Sequence, residues 1–203
     1  MHHTSGIRDY SQITYLSGLR PNDYYSNEDI LKWITQQQAL NFEPGEAFLY
    51  SNSNYWLLGK IVEKITGISL ATFAEKEIFK PLKMNHTHFI DNNSILIKNR
   101  ASVYSSNRQG GFRNTISSLE HVGSSCVYTT VNDLKKWIDA YSKNIVLPAG
   151  FWKLMTTKGR LNNGEKIAYA CALEIQTHKG LPIIEHGGRT PGYVSDIMHF
   201  TEE

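Results

Sequence analysis

The chain predicts an α+β fold, with a mostly helical region over residues 1–160 and strands over 161–203. Two observations carry this. Up to about residue 160 the apolar residues recur at helical spacing, bounded by capping residues. After Asn162-Asn163-Gly164 the period changes to two, and short turns separate the runs. Both regions are read as parts of a single domain.

Taken in order, His3-Thr4-Ser5-Gly6-Ile7-Arg8-Asp9-Tyr10 reads as a loop with Gly at a turn. A helix begins near Ser26, where Ser26 and Asp29 have capping-box spacing and Ile30, Leu31, Trp33 and Ile34 form an apolar face. Phe42-Glu43-Pro44-Gly45-Glu46 is a turn. The next helix is expected over residues 54–66, with Tyr55, Leu58, Val62 and Ile65 on one face and Gly67 at its end. Ser69 caps a further helix carrying Leu70, Phe73, Ala74 and Ile78, which Pro81 stops. Residues 85–113 are polar and irregular and read as loops. Thr130 caps a helix with Asp133 at the fourth box position, and Ala149–Met155 suggests another. Ala168–Ile175, Leu181–His186 and Tyr193–Phe200 are the expected antiparallel strands.

Composition narrows the function. The 203 residues carry 21 Lys+Arg against 19 Asp+Glu, a net charge of +2. A nucleic-acid or polybasic membrane surface needs clustered positive charge, so no nucleic-acid partner is expected. With 4 Trp, 11 Tyr and 8 Phe the chain has ample surface to bury. No apolar run approaches a membrane span. The first residues are polar and lack the regions of a signal peptide, and compartment stays open. Cys126 and Cys171 form no Cys-x-x-Cys and read as buried small hydrophobes. His86 and His88 lack an evident third ligand, so neither metal nor cofactor is expected.

Two short motifs hold chemistry. Tyr50-Ser51-Asn52 precedes a strong helix. A Tyr there works as acid or base if a cation lowers its pKa, and Asn52 offers both a donor and an acceptor. The alternative is a core Tyr beside an Asn N-cap. His186-Gly187-Gly188-Arg189-Thr190-Pro191-Gly192 closes a predicted strand. The paired glycines leave the strand bare for a ligand or another backbone. The alternative is a tight hairpin with a structural His.

The order of these motifs resembles the penicillin-recognising serine hydrolases: class C-type β-lactamases, D-Ala-D-Ala carboxypeptidases and related esterases. His3-Thr4-Ser5-Gly6-Ile7 is similar to the family's His-Thr-Ser-Gly-Leu. Phe42-x-Pro44-Gly45, Tyr50-Ser51-Asn52 and Leu57-Leu58-Gly59 resemble its next block. Thr66-Gly67-Ile68-Ser69 and Ile78-Phe79-x-Pro81-Leu82-x-Met84-x-x-Thr87 continue it. Ser125-Cys126-Val127-Tyr128-Thr129-Thr130-x-x-Asp133-Leu134 resembles Gly-Gly-Leu-x-Ser-Thr-x-x-Asp-Leu, and His186-Gly187-Gly188 resembles the third motif, His-x-Gly. Lys83 stands where Gly is usual, and Ser125-Cys126 replaces the Gly pair.

The resemblance implies a β-lactamase/transpeptidase-like fold and acyl-enzyme chemistry on amide, ester or β-lactam carbonyls of a small molecule or peptide. It implies Tyr50 and His186 as catalytic residues and Asn52, Gly187, Gly188 and Arg189 as substrate-binding, with the Arg189 N–H in the oxyanion hole. The family's nucleophile is the Ser of Ser-x-x-Lys. No Lys of this chain has a Ser three residues before it. Ser5-x-x-Arg8 and Ser17-x-x-Arg20 have the spacing, but Arg does not release its proton. The chain is therefore expected to be a serine hydrolase truncated at both ends and inactive alone. The alternative is a catalytically dead pseudoenzyme serving as a ligand-binding or interaction module. Missing outer strands would leave sheet edges open to self-association.

Overall fold

The computed structural model describes residues 1–20, 23–115, 117–143, 145–148 and 150–201. Among these residues six α-helices precede a three-stranded antiparallel sheet, and two small two-stranded ladders lie between them in sequence. This is the expected α+β class.

The first helix, α1 (Tyr10–Leu16), falls where the sequence reading placed no helix. Its N-cap is Asp9, which accepts the Ser11 N–H at 3.1 Å. α2 (Asn27–Thr35) carries the full capping box between Ser26 and Asp29. α3 (Asn52–Thr66) starts two residues earlier than expected, with Ser51 rather than Asn52 as its N-cap. A distant carboxylate holds the Asn52 N–H, so no local signal marks this start. Gly67 ends α3 at φ 73, the left-handed conformation a C-terminal glycine supplies. Tyr10, Ile30 and Trp56 of these helices meet in one core cluster.

α4 (Leu70–Ala74), capped by Ser69, runs into a π-helical turn at Glu75–Phe79 that ends before Pro81. Ala74, Phe79 and Met84 form a second core cluster with Trp137 packed against it. The region read as loops contains β1 (His88–Phe89), β2 (Tyr104–Ser106) and the start of β3 (Phe112–Asn114). β2 pairs with β3, and β1 pairs with β4 (Val127–Tyr128). Strands this short leave no readable alternation. α5 (Val131–Lys143) begins after Thr130, whose hydroxyl accepts the Asp133 N–H at 3.2 Å. α6 (Phe151–Met155) occupies part of the last expected helix, and Ala149 lies outside the described residues.

Asp133 shows how the second cluster is pinned. It is fully buried and accepts from the His86 N–H at 2.8 Å, the Thr87 hydroxyl at 3.0 Å and the Lys136 ammonium at 2.7 Å. Burial alone would raise this carboxyl; these donors outweigh it and hold the group below its ordinary range.

The main sheet is β5 (Glu174–His178), β6 (Leu181–Thr190) and β7 (Tyr193–Phe200) in that order. β5 starts later than expected. Tyr169, Ala170 and Cys171 are all buried, and Ala172 adopts φ 57, so the run turns instead of alternating. The Ala170 N–H closes that turn on the Leu173 carbonyl at 2.7 Å. β6 extends past His186 to Thr190, and the β6–β7 hairpin turns at Pro191-Gly192, between the paired Thr190 and Tyr193. Among the described residues no helix is long and apolar enough to cross a membrane.

Candidate active site

The site is built from the opening loop, the start of α3 and the middle of β6. Gly6, at φ 72, lets the loop lie against Phe42; a Cβ there would sit 2.0 Å from the Phe42 carbonyl oxygen. This seats His3 at 1% exposure. The Leu49 N–H bonds the His3 carbonyl at 3.0 Å, and His3 Nδ1 accepts the Ser51 N–H at 3.1 Å. His3 therefore grips the chain on both sides of Tyr50, and its ring lies 4.3 Å from the Tyr50 ring, centroid to centroid. Burial above all pushes the His3 pKa down to about 4, so the ring is neutral near pH 7. With Nδ1 accepting, the proton sits on Nε2, which has no hydrogen-bond partner among the described residues and is enclosed by the rings of Phe48, Tyr50, Tyr55 and Tyr169.

Asp9 organises the next residue. Its carboxylate accepts the Asn52 N–H at 3.2 Å and the Asn52 Nδ2 at 3.2 and 3.3 Å. It also accepts the Ser11 hydroxyl at 2.6 Å. A carboxylate only accepts, so the amide nitrogen of Asn52 must face it, and the amide oxygen is turned away. Asp9 thus caps α1, satisfies the first N–H of α3 and orients Asn52 together.

His186 comes from β6. Its ring centroid is 6.2 Å from that of Tyr50, and its Nε2 lies 2.9 Å from the Tyr169 hydroxyl. Tyr50 is 40% exposed. Its partial burial, reinforced by the charges of Asp9 and Glu174, raises its pKa, so it is a protonated phenol at neutral pH. Gly187, Gly188 and Arg189 follow along β6, all exposed, opposite Asp196, Ser195 and Val194 of β7. A Cβ at Gly188 would lie 2.7 Å from Ser195 Oγ, so the bare backbone leaves room for that hydroxyl.

Tyr50 and His186 are thus brought into one ring cluster. Asn52 lies at the start of α3, tethered to Asp9, and the Gly-Gly-Arg segment continues from His186 away from the buried part of β6. Sequence reasoning gave His3 no role and missed Asp9 and Tyr169. Asp9 carried a capping signal ahead of α1; Tyr169 sat in an apolar run with none. Both cysteines are free thiols, Cys171 buried and Cys126 half-buried. Lys83 and Cys126, two positions where the resemblance led one to expect Gly, both adopt positive φ, at 56 and 71.

The family model for beta-lactamase matches residues 1–202, and the chain belongs to that family. Among curated proteins it is 24% identical over 202 residues to a D-aminopeptidase of Gluconobacter oxydans, covering 100% of this chain and 38% of that one. A D-aminopeptidase of Brucella ovis is 23% identical over 199 residues, again with 38% of its length covered. The chain thus spans well under half the length of these relatives. Among solved structures, a penicillin binding protein from Bacillus halodurans superposes at TM-score 0.82 with 21% identity, over 98% of this chain and 62% of that one. A D-stereospecific amidohydrolase from Streptomyces sp. superposes at 0.80 with 23% identity, over 98% and 62%. These likenesses establish the penicillin-binding/β-lactamase fold.

Proposed function

We propose that this chain supplies the Tyr-x-Asn and His-Gly-Gly parts of the acyl-transfer site of a serine hydrolase, acting on amide, ester or β-lactam carbonyls. The observation that carries the reading is the approach of Tyr50 and His186, from distant parts of the chain, to 6.2 Å. Family membership supports the reaction class. The D-aminopeptidase and D-stereospecific amidohydrolase relatives support D-amino-acid amides and peptides as the substrates to try first.

In this reading a Ser of a Ser-x-x-Lys motif, which these residues do not contain, attacks the carbonyl carbon. The amine or alcohol leaves, taking the serine's proton by way of Tyr50, and water then hydrolyses the acyl-enzyme. A protonated phenol is a poor base. The Lys of that motif, beside Tyr50, would reverse the direction of its shift. The Asn52 amide oxygen, turned from Asp9, suits a Lys ammonium or a substrate N–H as donor. His186 faces the substrate carboxylate or leaving group, and the Arg189 N–H supplies one oxyanion donor. The outer strand β7 is bonded only to β6 among the described residues, and we assign self-association of the chain, if it occurs, to that edge.

The test is covalent labelling with a fluorophosphonate. The chain alone is expected to stay unlabelled, and the chain joined behind a family helix bearing Ser-x-x-Lys is expected to be labelled at that serine. Labelling of the chain alone would overturn the missing nucleophile; no labelling of the fusion, if it folds, would overturn the proposed site. A folded fusion that binds D-amino-acid amides without turnover would favour the binding-module alternative.

A further inference from the structure

We propose that Tyr169 is a positioning residue that fixes the tautomer and orientation of His186, so that His186 offers Nδ1–H to the substrate. This gives chemical meaning to the site proposed above and rests on that reading, but the tautomer itself is measurable without any activity.

The geometry is direct. The Tyr169 hydroxyl is 2.9 Å from His186 Nε2, and the two rings stand at 76° with centroids 5.8 Å apart. Tyr169 is 4% exposed. Its ring is held by His3 at 4.7 Å and Phe48 at 5.7 Å, and its carbonyl accepts the Gly159 N–H at 2.9 Å. The hydroxyl therefore has little freedom to seek another partner.

The direction of the hydrogen bond follows from satisfying both groups. Among the described residues the Tyr169 hydroxyl bonds only His186. If Nε2 carried the proton, the phenol oxygen would accept it and its own O–H would be left without an acceptor in a buried place. If the phenol donates, both groups are satisfied. Burial first, then neighbouring Tyr55 and Tyr50, raise the Tyr169 pKa, so the phenol keeps the proton it donates. Nε2 is then the acceptor, which leaves the ring proton on Nδ1. A substrate oxygen facing that nitrogen meets a donor rather than a lone pair. Tyr169 also touches His3 and stands 6.1 Å from the Tyr50 ring, so one buried residue braces both candidate catalytic side chains.

Long-range proton–nitrogen NMR of the chain with 15N-labelled histidine, at neutral pH, reads the tautomer. We expect His186 to show a bare Nε2 and a protonated Nδ1. Tyr169→Phe keeps the ring and removes only the hydroxyl. It is expected to move His186 toward the Nε2–H form, with His3 and His121 unchanged. A protonated Nε2 in the parent chain, or an unaltered His186 in a folded Phe variant, would overturn the proposal. If the Phe variant does not fold, the parent spectrum decides alone. The expected tautomer in a fusion that fails to label would count against the proposed function and leave this inference standing. Labelling with the opposite tautomer would do the reverse.

Discussion

The His3 and Tyr50 rings lie 4.3 Å apart, centroid to centroid, tilted by 35°, and the same imidazole accepts the N–H of Ser51, the residue after Tyr50. The phenol is thus held through its ring and through its backbone by a residue from the opening loop. The His-Thr-Ser-Gly segment acquires a physical role from this: it is the seat of Tyr50.

The seat should be sensitive to acid. His3 titrates at about 4 in the folded chain against an ordinary value of 6.5, because burial disfavours its charged form. As pH falls, the unfolded chain takes up the proton first. The stability His3 contributes is therefore complete above pH 6.5 and lost as pH falls through the window down to about 4. Urea unfolding at several pH values should show this slope, and His3→Asn should flatten it while lowering stability near neutrality. Equal slopes in the two proteins would contradict the assignment.

Asp9→Asn should loosen the start of α3. The variant presents an amide N–H pair to donors that now face a carboxylate, so the Asn52 and Ser11 bonds cannot all survive. A loss of about 1–3 kcal/mol is expected, a fall of several degrees in Tm. Hydrogen exchange at the Asn52 amide should accelerate more than at the centre of α3. Unchanged exchange there would show that Asp9 does not hold it.

Lys83→Gly should leave the fold intact and raise stability slightly. Lys83 is exposed and sits at φ 56, where a Cβ is strained. Relieving about 1–2 kcal/mol of left-handed strain outweighs the roughly 0.5–1 kcal/mol that glycine loses in backbone entropy. The Lys83 carbonyl, which accepts from Lys136, is kept. A drop in thermal midpoint would mean that the Lys side chain makes a favourable contact that outweighs the strain.

What the sequence made legible was whatever is encoded locally. α2 carried its own capping box, and α5 its Thr130 cap and apolar stripe. β6 and β7 carried a period of two. Tyr50, Asn52 and His186 stood out because their motifs occur in a particular order along the chain. α1 was missed because it is a short helix whose cap, Asp9, also serves distant Asn52. β5 was drawn too early because Tyr169, Ala170 and Cys171 are apolar for burial at a turn rather than for a strand face. Tyr169 was invisible as a site residue because its partner lies across the fold, on β6.

Turnover of a D-amino-acid p-nitroanilide reads whether Tyr50 works with His186 in acyl transfer, as proposed. The fusion bearing Ser-x-x-Lys is compared with its Tyr50→Phe variant, which keeps the ring against His3. A fall in kcat of about 10²-fold or more is expected, within the range a proton-transfer group contributes, with little change in KM. Equal kcat in the two proteins would contradict it.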